Sequence, residues 1–543
     1  MHRALVSPKC RHERGEGGSS IERQALVSPK RLGEGGSSCR PAAAGARLNS
    51  RVYGSRFTVF LAVGLALALL GCGRKNDSAG FWKDSVVVVE INRKHYDYFQ
   101  PWSRRNETFL KGGVVIGGRE ILTTADRLQD RTLVRVRKHG RGQWWNAKVK
   151  WLDYHANMAL LTVDDPVFWH GTKTARLADL SRDESSVRVR MWKDGNLEDW
   201  QAEVSKVAVG QGEMSFSCHV VLELTSNVSN AGWSEIITRD DRLVGLASSH
   251  EGNMLRVLPA SVIRSVLDAQ RKGAFQGLSY FPFYWQPGEN AANLRYLGQT
   301  GGPSGVIVTQ IPAWPPHEDG LKQHDVILNV DGFEVDDKGD YDDPTYGYLM
   351  FENLPNRNHV AGDRLKMTVL RNGRQEQISY RLPPVDYRAN LVPMAAFDQE
   401  PDYLIAGGLV FQPLVLPYLK GWGEEWAQRA PFRLVYCTHE DPAKERPSLV
   451  FLSQVLPDAY NRGYQDYRFL IVDKVNGKSV SRVEDVARAL KSPMGDFHIV
   501  DFMQTKAFRR LVLDASSLQE ATGRVLARYG IPKDHSFVSE TRR

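Results

Sequence analysis

Cysteine is scarce in this chain of 543 residues, and none of its five cysteines stands with histidine at the spacing of a metal-binding cluster. The sequence therefore predicts no zinc site, and we expect no cofactor. The net charge is also small outside the N-terminal segment. The formal net charge is +8, but residues 1–71 alone hold eleven Lys/Arg and four Asp/Glu. The remainder is close to neutral and lacks the concentrated basic surface that phosphate binding needs, which argues against nucleic acid as a partner.

The apolar run Phe57–Leu70 is too short to cross a bilayer but is typical of the central region of a signal peptide. It ends in Leu69-Leu70-Gly71-Cys72, which resembles a bacterial lipobox, where cleavage leaves a cysteine that receives lipid. We therefore expect a disordered leader plus signal peptide over 1–71, lipidation at Cys72 and a tether over 72–85. The protein would be lipid-anchored in the bacterial cell envelope and face the periplasm. A short membrane anchor and an ordinary secretory signal are the alternatives.

Short apolar runs separated by turn residues follow the tether. Val86–Val89, Val114–Ile116 and Ala159–Val163 are examples, and similar runs recur as far as about residue 250. Runs rich in valine, isoleucine and leucine at this interval predict an all-β barrel or sandwich. Val262, Val266 and Leu267 then stand at helical spacing, which predicts a helix that closes the region.

Three motifs lie in order along this β region. Gly113–Gly118 is followed by Ile121–Asp126, Asn157–Val163 reads Asn-Met-Ala-Leu-Leu-Thr-Val, and Asn227–Trp233 reads Asn-Val-Ser-Asn-Ala-Gly-Trp. Together they resemble the histidine, aspartate and serine motifs of trypsin-like serine proteases of the HtrA/Deg type, closest to the plant-type Deg branch. The resemblance implies a mainly β protein with a chymotrypsin-like double β-barrel over 86–270.

The same resemblance places Asp126, Asn157 and Ala231 at the three catalytic positions. Alanine has no nucleophile, a carboxylate with a reference pKa of about 3.9 is a weak base at neutral pH, and asparagine carries no charge to stabilise a protonated base. Ser229 and Trp233 stand where the family has glycines in its oxyanion loop, and glycine adopts the backbone angles required there at lower cost. We therefore predict a degenerate triad that does not cut proteins.

Residues 275–385 and 395–543 each resemble a PDZ domain, the second with a C-terminal helix. Asp325–Gly332 matches a strand and turn of the family, and Tyr403–Phe411 resembles the loop and strand that receive a peptide C-terminus. A PDZ groove adds a peptide as an extra strand and holds its carboxylate with backbone N–H groups. Pro282 lacks an N–H group and would weaken this capture, and either loop could instead pack between domains. The predicted peptide-binding residues are Tyr280, Phe281 and Phe283 in the first unit and Gly408, Leu409, Val410 and Phe411 in the second.

The leading hypothesis is an inactive HtrA/Deg-like pseudoprotease that binds peptides or unfolded envelope proteins as an adaptor or chaperone. The resemblance also implies assembly into homo-oligomers. Two other functions stay open. A displaced triad built from His155 with Ser229 or Ser234 would make an active serine endopeptidase, whereas closed PDZ grooves would leave a structural envelope scaffold. Peptide binding separates the first hypothesis from the scaffold, and cleavage separates the endopeptidase from both.

Overall fold

A computed structural model describes residues 78–181, 184–212, 214–225, 234–251, 253–313, 320–503 and 509–537. The predicted leader, the signal peptide and Cys72 lie outside these residues. Strands make up most of the regular structure, as expected for a mainly β protein. Among the described helices, none is both long and apolar enough to span a membrane.

The first sheet is built from the strands that the apolar runs predict. Its seven antiparallel strands lie in the order β5-β4-β1-β2-β3-β7-β6. The inward side chains of β1, among them Val87, Val89 and Ile91, are buried and form a core with residues of the neighbouring strands. The elements are α1 Ser78–Ser85, β1 Val86–Tyr96, β2 Arg104–Ile116, β3 Glu120–Thr123, β4 Arg131–Lys138, β5 Trp145–Asn146, β6 Lys148–Asp153 and β7 Met158–Thr162.

The second sheet closes on itself. Its order is β12-β9-β10-β11-β14-β13-β8, and β12 also pairs with β13, so six of the strands form a closed barrel. A helix over Ala260–Arg271 ends the barrel region and buries Val262, Val266 and Leu267, as their spacing predicts. The elements are α2 Pro166–Trp169, β8 Arg176–Leu177, β9 Ser186–Lys193, β10 Asn196–Gln211, β11 Cys218–Thr225, β12 Ile236–Arg239, β13 Arg242–Glu251, β14 Met254–Pro259 and α3 Ala260–Arg271.

The third sheet belongs to the unit that we predict to be the first PDZ domain. Its order is β15-β16-β17-β21-β22, with β18 paired to β17, so that β15 lies at an edge; β19 and β20 form a separate hairpin. One continuous apolar core joins this unit to the two barrels. The elements are β15 Tyr284–Pro287, α4 Ala291–Tyr296, β16 Val306–Gln310, β17 Val326–Val330, β18 Phe333–Glu334, β19 Asp340–Asp343, β20 Gly347–Met350, a 3₁₀ helix Phe351–Asn356, β21 Arg364–Arg371 and β22 Arg374–Arg381.

The last unit has its own sheet, in the order β29-β28-β26-β25-β24-β23-β30 with β27 paired to β26. Its apolar cores are separate from the core of the barrels. A 3₁₀ turn, Tyr387–Ala389, lies in the linker before it. The elements are β23 Tyr403–Ala406, β24 Leu409–Pro413, α5 Leu416–Lys420, α6 Trp426–Arg429, α7 Phe432–Tyr436, a 3₁₀ helix Cys437–His439, β25 Val450–Val455, β26 Leu470–Val475, β27 Lys478–Ser479, α8 Val483–Ala489, β28 Phe497–Phe502, β29 Arg510–Asp514, α9 Leu518–Tyr529 and β30 His535–Ser536.

The turn between β1 and β2 joins the first barrel to this last unit. The side-chain amide of Gln412 donates to the Tyr98 carbonyl at 3.0 Å, and that of Gln454 donates to the Phe99 carbonyl at 2.7 Å. The Phe99 ring stands edge-on to Trp422 with the ring centroids 4.8 Å apart. These contacts hold the last unit against the part of the barrel that carries the candidate site.

Candidate functional site

Asp126, at the predicted position of the catalytic base, lies shortly after β3 and pairs with Lys111 of β2. The Lys111 ammonium donates to Asp126 Oδ1 at 2.9 Å and to the Asp126 carbonyl at 2.7 Å, and it also reaches the carbonyl and hydroxyl of Thr124 at 2.9 and 2.7 Å. Only 1% of the Lys111 side chain is exposed. Burial lowers the pKa of the Lys111 ammonium, and Asp126 opposes that shift. Asp126 is therefore half of a buried ion pair.

Asn157, at the predicted position of the catalytic aspartate, is held directly behind Asp126. Its side-chain Oδ1 accepts from the backbone N–H groups of Ala125 and Asp126 at 2.9 and 3.0 Å. The residue is buried and has a φ of 48°, in the left-handed region that asparagine tolerates better than most residues. Its Nδ2 has no hydrogen-bond partner among the described residues. Asn157 thus caps the turn that carries Asp126.

Ser234, three residues beyond Ala231, completes this network. Its hydroxyl lies within hydrogen-bond distance of the Thr124 hydroxyl, which also donates to Asp126 Oδ1. Thr124 and Ser234 are both fully buried. A Cβ atom on Gly112 would lie 2.3 Å from the Ser234 carbonyl oxygen, so a glycine is needed for β2 to pass there. Ser229, Ala231 and Trp233 lie outside the described residues.

The hydrogen bonds among the described residues of this arrangement hold the turn after β3. General-base catalysis needs a group within reach of the proton that it removes, and its pKa must lie near the working pH. The Asp126 Oδ1 atom accepts hydrogen bonds from the Lys111 ammonium and the Thr124 hydroxyl. The hydroxyls of Thr124 and Ser234 are buried. The described part of the site therefore stabilises the turn after β3 and offers no accessible nucleophile.

His155, the histidine of the displaced-triad alternative, points to different partners. Its Nδ1 lies 3.2 Å from the hydroxyl of Ser215, and its ring stacks on Tyr387 with centroids 4.0 Å apart. Burial lowers the pKa of His155 to about 4, although Asp386 opposes the shift. Such an imidazole is a weak base at neutral pH, and Ser215 is fully buried. The structure places His155 in a packing contact rather than beside Ser234.

The predicted peptide-binding residues of the last unit, Gly408 to Phe411, lie in a hairpin. Leu409, Val410 and Phe411 are buried on β24, which pairs with β23 on one side and β25 on the other. Gly407 and Gly408 form the two-residue turn of the β23–β24 hairpin, and the Gly407 N–H donates to the Thr522 hydroxyl at 2.8 Å. The predicted free edge does not exist, because the chain's own strand β23 occupies it.

The predicted peptide-binding residues of the first unit are largely packed inside the protein, although the strand β15 that follows them lies at an edge of its sheet. Phe281 and Phe283 are buried and stack on each other with centroids 5.2 Å apart, and Phe281 also stacks on Phe351 at 5.5 Å. Tyr280 packs edge-on against Phe216, which lies just before β11 of the second barrel, at 4.9 Å. These aromatic side chains build the core and the junction with the barrel, which is the interdomain packing that the sequence left open.

Sequence patterns did not identify Lys111 or the groove that opens beside Asp126. The groove has a volume of about 1200 Å³ and lies between the β1–β2 hairpin, the second barrel, the linker before the last unit and the segment around α5. Its walls come from parts of the chain that are far apart in sequence, so no local motif could have revealed it.

The last unit matches a known domain family, and most of the chain is similar to named plant proteases. A family profile described as a PDZ domain matches residues 392–537. The chain is 25% identical over 469 residues to the putative protease Do-like 3, mitochondrial, of Arabidopsis thaliana, covering 84% of this chain and 80% of that protein. It is 27% identical over 468 residues to protease Do-like 2, chloroplastic, of the same plant, covering 83% of this chain and 75% of that protein.

Among solved structures, the HtrA-type protease AlgW with decapeptide is similar, at 12% identity and a TM-score of 0.42, over 56% of this chain and 97% of that one. The sequence relatives extend over both barrels and the last unit. The last unit is therefore a PDZ domain, the chain is similar over most of its length to plant proteases of the Do-like type, and the predicted fold class is confirmed.

Proposed function

We propose that this protein is a catalytically inactive relative of the HtrA/Deg proteases that binds extended polypeptides as an adaptor or chaperone. The observation that carries the proposal is the pairing of Asp126 with the buried Lys111 ammonium at 2.9 Å. A protease of this fold needs a base there that can take a proton from the nucleophile. Here the position holds a carboxylate committed to a cation, and Ala231 would supply no nucleophile.

The second support is Asn157, whose side chain is used as a backbone cap. In a working triad a carboxylate at this position accepts from the base and stabilises its charged form. The Asn157 amide oxygen instead accepts two backbone N–H groups of the turn that carries Asp126. Both residues have structural duties that would conflict with catalysis.

A structural envelope scaffold is the second candidate function. The burial of Leu409, Val410 and Phe411 on a strand that is paired on both edges favours it, and so does the burial of Phe281 and Phe283 in the first unit. Polypeptide binding then depends on another surface. The groove beside Asp126 is the candidate, because Asp126 stands at the position that the resemblance assigns to a catalytic residue.

We further propose that the protein is held at the cell envelope through a lipid on Cys72 and faces the periplasm. Leu69-Leu70-Gly71-Cys72 and the apolar run before it support this proposal. Homo-oligomers are proposed by analogy with the HtrA-type relatives. Mass spectrometry of the mature protein from a bacterial host tests the anchor: a lipid-modified Cys72 at the N-terminus supports it, and an unmodified chain that keeps residues 1–71 contradicts it.

Incubation of the purified protein with a denatured protein substrate over many hours tests the inactivity. We expect intact substrate at an enzyme-to-substrate ratio at which a trypsin-like protease digests it completely. The Ser234→Ala and Ser215→Ala variants are run beside the wild type. Fragments that disappear in either variant would identify a relocated nucleophile and overturn the proposal.

A further inference from the structure

The sequence holds two Asn-Gly pairs, Asn372-Gly373 and Asn476-Gly477, and each forms the two-residue turn of a hairpin. The first pair joins β21 to β22, and the second joins β26 to β27. Their backbones are nearly the same, with φ angles of 49° and 76° in the first pair and 50° and 77° in the second. A difference in reactivity between the two pairs must therefore come from the surroundings of their side chains.

The Asn476 side chain is buried and held by hydrogen bonds. Its amide nitrogen donates to the carbonyls of Ala489 and Ser492, each at 3.0 Å, and lies 3.1 Å from Nδ1 of His498. Its amide oxygen accepts from the Ile499 N–H at 2.8 Å. Rotation of this side chain would leave buried polar groups without partners, which is costly. Asn476 is therefore fixed in one orientation.

The Asn372 side chain has no such restraint. Asn372 and Gly373 are both exposed. Within the part of the chain that the structure describes, no residue forms a hydrogen bond with the Asn372 side chain. The neighbouring Arg371 is engaged elsewhere, since its guanidinium pairs with Asp325 and Glu376, each at 2.7 Å. The Asn372 amide is therefore free to turn towards its own main chain.

We propose that Asn372 is a site of spontaneous deamidation and that Asn476 is protected from it. The Gly373 amide nitrogen loses its proton and bonds to Cγ of Asn372, the Cγ–Nδ2 bond breaks, and ammonia leaves with that proton. Water then adds to either carbonyl carbon of the cyclic imide. The ring opens to aspartate or to isoaspartate, in which the main chain runs through the side chain. Glycine favours the first step, because it has no side chain to hinder its nitrogen.

The reaction would disturb the contact between this turn and the end of α4. Gly298 lies so close to the turn that a Cβ on it would stand 2.6 Å from Gly373 Cα and 2.7 Å from the Gly373 nitrogen. Isoaspartate lengthens the main chain at this contact, and both products add a negative charge there. We therefore expect the reacted protein to melt at a lower temperature than the fresh protein.

Mass spectrometry of the full-length protein tests the proposal. The protein is incubated in mildly alkaline buffer, with and without urea, and is then digested in mildly acidic buffer, where the reaction is slow. In the folded protein we expect Asn372 to react at least about tenfold faster than Asn476, because the hydrogen bonds of Asn476 must first be broken. In urea we expect the two asparagines to react at similar rates, since both then belong to the same unstructured dipeptide.

Asn372→Gly is the matched variant, because a Gly-Gly turn accepts the same positive φ angles and has no amide to lose. We expect its melting temperature to stay constant during the incubation, while that of the wild type falls.

Equal rates at Asn372 and Asn476 in the folded protein would overturn the proposal. Reaction of neither in the folded protein, while both react in urea, would do the same. A melting temperature that fell equally in the wild type and in Asn372→Gly would place the damage elsewhere and overturn the effect assigned to this turn.

Discussion

At the scale of single residues, Lys111 gives Asp126 a structural partner in the candidate site. A lysine is seldom fully buried unless it is paired, and this one has four oxygen acceptors within 2.9 Å. The desolvation cost of the ammonium is offset by Asp126 and by the Thr124 oxygens. Asp126 therefore has a structural role, because it neutralises a charge in the core of the barrel.

Removing one member of this pair tests its structural role. We expect Asp126→Ala to lower the free energy of unfolding by about 3–5 kcal/mol, because it leaves a buried ammonium uncompensated. Lys111→Met combined with Asp126→Ala should recover most of that loss, since the apolar methionine fills the volume without a charge. Urea denaturation followed by tryptophan fluorescence measures both.

Asp164→Ala is the matched control, because Asp164 pairs with Lys148 on the surface, where both side chains are about two-thirds exposed. We expect a change of less than about 0.5 kcal/mol. If Asp126→Ala proved as mild as this control, the pair would contribute little, and the structural reading of the site would be wrong.

The sequence predicted where Asp126 and Asn157 would lie but not what they do. Their spacing relative to the strand motifs was sufficient to bring them together. The burial of Lys111 could not be predicted, because its strand turns a polar side chain inward and an apolar one outward. Leu110 is 56% exposed, whereas Lys111 is buried. A pattern rule that turns apolar side chains inward assigns both residues to the wrong face.

At the scale of secondary-structure elements, the hairpin β23–β24 decides what the last unit can bind. Tyr403–Phe411 resembles a peptide-receiving loop in sequence, because a glycine pair followed by apolar residues suits both a carboxylate-binding loop and a tight hairpin turn. Only the pairing of β24 on both edges shows that the segment is a hairpin turn and not a free carboxylate-binding loop. Such long-range pairing is not encoded in the local motif, so the sequence alone could not predict it.

Two glycines with nearly the same backbone angle test this hairpin. Gly408 has a φ of 92°, and a Cβ there would lie 2.3 Å from Asn461 Nδ2 and 2.4 Å from the Leu456 carbonyl oxygen. Gly463 has a φ of 93° with open space around it. Gly463→Ala should cost about 1 kcal/mol from backbone strain alone, and Gly408→Ala about 1–3 kcal/mol more from the clash. Chemical denaturation compares them, and equal losses would mean that the turn is loosely packed.

The loop after Asp126 and the linker before the last unit meet at the carboxylate of Asp398. The Asp398 carboxylate accepts from the Asp130 N–H at 2.8 Å and from the Tyr154 hydroxyl at 2.7 Å. Burial raises the pKa of Asp130 from 3.8 to about 6, and Asp398 adds to the shift while Arg93, Lys94 and Arg131 oppose it. Between these two pH values the folded protein holds more protons than the unfolded chain, so this group makes the protein less stable as the pH rises.

Asp130→Asn should remove that dependence. At pH 7 we expect the variant to be more stable than the wild type by about 1 kcal/mol, a figure reduced for the partial exposure of the site, and at pH 4 we expect no difference. Asparagine also tolerates the positive φ of 55° at this position. Melting temperatures measured between pH 4 and 7 provide the test, with the exposed Asp466→Asn as control. A variant less stable at pH 7 would show that the Asp130 charge is favourable.

At the scale of the whole molecule, the last unit is joined to the rest of the described chain through its own cores. One apolar core runs through both barrels and the first PDZ-like unit, whereas the last unit has separate cores, against which Tyr98 and Trp102 of the β1–β2 turn pack. The linker and the hydrogen bonds of Tyr284 and Gln310 to Asp441 add to this attachment. Because the β1–β2 turn and the linker border the groove beside Asp126, the position of the last unit sets the width of the groove.

Phe99 tests this attachment, because its ring packs against both Tyr418 and Trp422, at 5.2 and 4.8 Å between centroids. Phe99→Ala should loosen the last unit without unfolding it, since the residue is already 36% exposed. We expect a larger radius of gyration in solution scattering and faster proteolysis in the linker around residues 385–402. Phe432→Ala, which removes an aromatic ring that is 80% exposed on α7, is the control and should change neither. Unchanged scattering in Phe99→Ala would mean that the linker contacts at Asp398 suffice to hold the unit, and the groove would then keep its shape without the β1–β2 turn.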